Sequence, residues 1–183
     1  MRIYNEKTNG GQGDGNYHRN RLKVYTGFEK GKVGELSING CGDMKLDVGF
    51  EKAWLIVNGS GAINSKRRMD ALNVSINGSG DMELASAGEA ALKINGSGDI
   101  RVSEVTESLT ARINGSGDIT AAGEVDRAEI SINGSGDMDL KNMTVNTAKV
   151  SVSGAGDIVL GRVIDRTEEK ITKNSTFKVL QRG

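Results

Sequence analysis

The chain of 183 residues carries 24 Lys+Arg against 24 Asp+Glu, a formal net charge of zero. It therefore lacks the basic balance that drives non-specific nucleic-acid or membrane-surface binding. Glycine occurs 26 times, proline is absent and aromatics make up 4%, so any core is aliphatic. One cysteine, Cys41, and one histidine, His18, exclude an internal disulfide and a Cys/His zinc cluster.

Residues 1–33 form an irregular N-terminal segment, read as a cap, and His18 in it reads as a surface residue. The opening "MRIYNEKTNGG" has no apolar signal-peptide stretch, and no run of ~18 apolar residues could span a bilayer. As written, the chain is expected to be cytoplasmic; a cell-surface location follows if a leader has been removed.

From residue 34 one phrase recurs: "INGCGDM" at 38–44, "VNGSGAI" at 57–63, "INGSGDM" at 76–82, "INGSGDI" at 94–100 and 113–119, "INGSGDM" at 132–138 and "VSGAGDI" at 152–158. Its Asn or Ser falls at Asn39, Asn58, Asn77, Asn95, Asn114, Asn133 and Ser153, a period of 18–20 residues. Such a period marks a solenoid whose units bury their apolar faces only by stacking.

Within each unit apolar residues alternate with polar ones, as strands require. Before the corner stand Gly34, Leu36 and Ile38 in the first unit and Leu109, Ala111 and Ile113 in the fifth; after it come Met44 and Leu46, or Ile119 and Ala121. Each unit reads as two short strands meeting at a Gly-x-Gly corner. A looser third segment often carries an apolar residue: Val48, Met69, Val105, Val125, Met143 or Val163. The fold class predicted is all-β, a single-stranded right-handed parallel β-helix of about seven coils over residues 34–160. Helix is a poor competitor, opposed by the period-2 alternation and the regular glycine pairs.

The paired glycines let the corner turn at positive φ, and stacked Asn amides can bond one another along the axis. The Asn-Gly-Ser triplets also match the N-glycosylation pattern, as a by-product of the repeat. The Asp column, Asp43, Asp81, Asp99, Asp118, Asp137 and Asp157 with Ala62 interrupting it, is more demanding. Carboxylates ~4.8 Å apart repel by roughly 0.9 kcal/mol per pair even in water. Either each accepts a backbone N–H in its own turn, or a cation sits between coils. The column partly resembles the calcium nonapeptide "GGxGxDxUx" of β-roll toxins, which makes Asp81, Asp99, Asp118, Asp137 and Asp157 a candidate calcium ladder. The local turn is the simpler account and implies no cofactor.

Trp54 and Ile56, in "AWLIV", break the polar outward pattern. They are candidates for a partner contact, unless the N-terminal segment, with Tyr17, Leu22, Val24, Tyr25 and Phe28, folds over them. Residues 161–183 lie beyond the regular units and read as a C-terminal cap, with "STFKVL" as one more strand. An uncovered end would let another molecule continue the stack.

Gly-x-Ser-x-Gly and P-loop motifs are absent, no long loop interrupts the coils, and a polysaccharide-active enzyme is the weakest candidate. "INGSGD" followed by an alternating strand resembles the bacterial adhesin family called the head GIN domain, over about residues 34–160. That resemblance implies a β-helical, envelope-linked structural or adhesive role and supplies no catalytic residues. The "GSG"-punctuated coils are also similar in architecture to bactofilins, polymer-forming cytoskeletal β-helices. The function expected is a non-enzymatic structural or adhesive binding module. Its partner would be a protein or glycan surface, or another copy through the solenoid ends. A bactofilin-like intracellular scaffold and a calcium-binding repeat protein are the alternatives.

Overall fold

The computed structural model describes residues 3–6, 19–26 and 32–182, with side chains from Val33 onward. Two short strands, β1 (Ile3–Glu6) and β2 (Arg19–Thr26), precede the solenoid. Its first coils are built from β3 (Lys32–Gly40), β4 (Asp43–Leu46) and β5 (Phe50–Gly59). Thereafter each coil is one long strand: β6 (Ala62–Gly78), β7 (Asp81–Gly96), β8 (Asp99–Gly115), β9 (Ile119–Gly134), β10 (Met138–Gly154) and β11 (Asp157–Ile171), closed by β12 (Thr176–Arg182). Among the described residues there is no helix. From β3 onward neighbouring coils pair in parallel and in register, as in Asn77↔Asn95 and Gly78↔Gly96. The result is an all-β solenoid of about eight turns.

The alternation in the sequence explains the core. Three inward residues before each corner and two after it are buried, with relative exposures of 0–4%. Their volumes compensate within a coil. Ala90 precedes Leu92 and Ala128 precedes Ile130, whereas Leu109 precedes Ala111, so each layer stays filled at near-constant volume. In the first coils the compensation crosses between strands: Gly34 lacks a side chain where the Phe50 ring lies.

The third segment is not loose. It carries its own ladder, with Ala87 opposite Val105 and Val125 opposite Val145. Register shifts such as Ser65/Arg68 and Ala87/Glu89 bend the long strand there. One strand therefore turns without breaking, and only the Gly-x-Gly corner interrupts it. In the first coils the inward residue of this segment is Phe50, opposite Met69; Val48 is only partly buried.

The stack also runs beyond the seventh corner. Thr167, Glu169 and Ile171 of β11 pair with Ala148, Val150 and Val152 of β10, and a turn at 172–175 replaces the Gly-x-Gly corner before β12 pairs with β11. This last tier lacks the glycine phrase, so repeat counting stops one coil short of it.

Candidate functional site

The corners hold two ladders of polar side chains. In the amide ladder, Nδ2 of Asn58 donates to Oδ1 of Asn39 at 2.8 Å, Asn77 to Asn58 at 2.8 Å, Asn95 to Asn77 at 2.8 Å and Asn114 to Asn95 at 3.0 Å. On the last tier Thr172 follows Ile171 as Ser153 follows Val152, and its hydroxyl donates to the Gly154 carbonyl at 2.9 Å.

The Asp ladder works differently from a local turn. Oδ1 of Asp99 accepts the backbone N–H of Asp118 at 3.1 Å, Asp118 that of Asp137 at 2.9 Å, and Asp137 that of Asp157 at 2.8 Å. Asp43, Asp81 and Asp157 likewise accept from Ala62, Asp99 and Thr176. Every carboxylate thus staples its own coil to the next one, and the N–H dipoles offset the repulsion along the column. Among the described residues no group of three or more His, Cys, Asp or Glu converges as a metal-holding set.

The glycines of each corner have separate tasks. The first of each pair, from Gly40 to Gly154, has φ between +115 and +142, a region that disfavours any Cβ. The second turns at no such angle, but a Cβ on Gly98 would collide with the Gly80 carbonyl oxygen and the Ile76 side chain.

Away from the corners, which are committed to holding coils together, the outer face of the strand segments before them carries a distinctive surface. Two outward columns run along it in register. One reads Glu35, Trp54, Asn73, Ala91, Thr110, Glu129, Lys149 and Glu168; the other reads Ser37, Ile56, Ser75, Lys93, Arg112, Ser131, Ser151 and Lys170. Trp54 is 40% exposed, and Ile56 beside it is half-buried. They line a shallow groove of about 330 Å³ with Ala91, Lys93 and Arg112. A second depression of about 390 Å³ adjoins it, shares Lys93 and Arg112 and ends at Lys149. Together they form one trough along the axis.

Tyr17, Phe28 and His18 lie outside the described residues. Leu22, Val24 and Tyr25 lie on β2, whose backbone pairs antiparallel with β3 at the end of the sheet. The three cations Lys93, Arg112 and Lys149 stand far apart in sequence, and only the coil register sets them on the same face as Trp54.

The family model described as "Putative auto-transporter adhesin, head GIN domain" matches residues 3–119 and 83–163. A crystal structure of a "Putative lipid binding protein" from Parabacteroides distasonis is similar in fold, with a TM-score of 0.56 and 20% identity. The match covers 71% of this chain and 61% of that one, so the chain spans less than two thirds of that protein's length. No curated protein matches the chain in sequence.

Proposed function

The chain belongs to the head GIN domain family, and from that premise we propose that it is a non-enzymatic binding module of the cell surface, engaging its ligand through the trough beside Trp54. The observation that carries this reading is the 40% exposure of Trp54 on a face that, apart from Ile56, is tiled with small, polar and charged residues. A Trp held on a rigid ladder presents a large contact area at little entropic cost, which is why Trp recurs at binding hot spots. The adhesin description of the family supports the cell-surface expectation over the cytoplasmic one. It equally supports binding over catalysis.

Both ends of the solenoid weigh against a polymer-forming scaffold. At the N-terminal end β2 runs antiparallel to β3 and β1 antiparallel to β4, so a parallel coil from another copy finds those edges taken. At the other end Glu169 occupies the column of Val150 and pairs with Arg182 at 3.3 Å. A charge in an inward column is a recognised defence against edge-to-edge association.

The test is retention of the purified chain and its Trp54→Ala variant on immobilised acidic glycan, neutral glycan, phospholipid and matrix protein. On whichever surface holds the wild type, Trp54→Ala should cut retention at least tenfold, while Arg101→Ala on another side should not. Retention indifferent to Trp54→Ala would overturn the proposal.

A further inference from the structure

The chemistry of the trough narrows the ligand. We infer that it takes a linear acidic glycan, an extended saccharide chain bearing carboxylate or sulfate groups, laid along the solenoid axis. This deepens the binding reading above and rests on it.

Three observations lead there. The first is how charge is placed. Lys93 and Lys149 are exposed and make no ion pair among the described residues, whereas Arg112 between them is tied to Glu129 at 2.9 Å. The register puts Lys93 three coils from Lys149, roughly 14 Å along the axis at ~4.8 Å per coil. One phosphate or one headgroup cannot bridge that distance. A chain that repeats its anions can meet both cations.

The second is the apolar end. Trp54 lies two coils from Lys93 and one column over, ~10 Å along the axis. Its ring, with Ile56 on the same strand and Glu35 and Asn73 on the neighbouring coils, offers an aromatic face beside hydrogen-bonding side chains. That pairing suits a sugar ring, which has an apolar C–H face and hydroxyl edges.

The third is what the fold leaves no room for. The inward residues of the seven glycine-cornered coils are buried, with exposures of 0–4%, so these coils offer an acyl chain no interior slot. The trough floor is a continuous sheet kept shallow by small side chains, Ser75, Ala91, Ser131 and Ser151. An extended polymer fits along such a floor without displacing any core residue.

Trp54 is the only tryptophan, so its emission reads this face directly. The full chain is titrated with polygalacturonate, dextran sulfate, neutral dextran and phosphatidylglycerol vesicles. At least one acidic polymer should shift Trp54 emission saturably, and neutral dextran should not. Affinity should fall tenfold or more in the Lys93→Glu/Lys149→Glu variant and on raising the salt, while Arg101→Glu leaves it within twofold. Circular dichroism establishes that the variants keep their strands. No emission change with either acidic polymer, a response that survives the charge reversal, or equal weakening by Arg101→Glu would overturn the glycan inference. So would a response to vesicles alone. In that last case Trp54→Ala still abolishes retention on phospholipid and the binding-face reading stands. Both readings fall if Trp54→Ala changes retention on no surface.

Discussion

The carboxylate of Asp118 accepts the backbone N–H of Asp137, 2.9 Å away on the next coil, so the side chain that marks each repeat also fastens it to its neighbour. Asp118→Ala removes that acceptor and should destabilise by about 1–2 kcal/mol. Asp118→Asn keeps an acceptor oxygen and relieves like-charge repulsion, so it should change stability by less than ~0.5 kcal/mol. Urea denaturation of the two variants beside the wild type decides the point. Equal, large losses in both would mean that the charge itself is required.

At the same corner, Gly98→Ala should be far costlier than its exposed neighbour Ser97→Ala. The added Cβ meets the Gly80 carbonyl and the Ile76 side chain, and neither can retreat without moving a stacked coil. A loss of about 3 kcal/mol or more is expected for Gly98→Ala, against ~0.5 kcal/mol or less for Ser97→Ala. Thermal melts of the two proteins test it, and a Gly98→Ala melt within a few degrees of wild type would refute the close-stacking account.

These corners were the most legible part of the sequence. Period-2 alternation and a phrase repeated every 18–20 residues specify strands, inward columns and turns with little help from long-range context. The rest depended on register. Phe50, not Val48, faces inward because the third segment varies in length and no motif anchors it. The last coil was invisible as a repeat because Thr167 and Glu169 replace apolar residues in its columns. The partner of each Asp is not legible because its N–H lies on the next coil, as that of Asp137 does for Asp118, and only the stacked register brings it within reach. Trp54 stood out as an aromatic among polar neighbours, whereas Lys93, Arg112 and Lys149 are ordinary surface residues until the coils align them.

The terminal tier can be tested by restoring its columns. Among the described residues Thr167 Oγ1 is buried without a hydrogen-bond partner, and Glu169 stands where an apolar residue would continue the core. Thr167→Val alone should stabilise by up to ~1 kcal/mol. Adding Glu169→Ile should make the end adhesive, giving concentration-dependent dimers by analytical size-exclusion chromatography. A Thr167→Val/Glu169→Ile protein that stays monomeric would show that the inward charge does not guard this end.

Strong acid should loosen the surface pair between Asp139 and Lys141. Asp139 is held below its ordinary carboxyl value chiefly by the hydrogen bond from Lys141, with partial burial opposing it; Lys141 Nζ lies 2.7 Å from Oδ2. Because the folded group titrates below its ordinary value of 3.8, its contribution is complete above that pH. It is lost as pH falls through the lower folded value. The pair is 56% and 42% exposed, so the effect is small and screened by salt. NMR titration of Asp139 should give a low midpoint that rises in Lys141→Met; an unchanged midpoint would remove Lys141 as the cause.

If the solenoid presents a face, as proposed, and does not build a filament, its ends stay closed in solution. Sedimentation velocity of the untagged chain at micromolar concentration tests it most directly. Closed ends predict a single species near 19.4 kDa whose sedimentation coefficient does not change with concentration. Large species that grow with concentration would contradict the account and make the solenoid ends, not the Trp54 trough, the surface that matters.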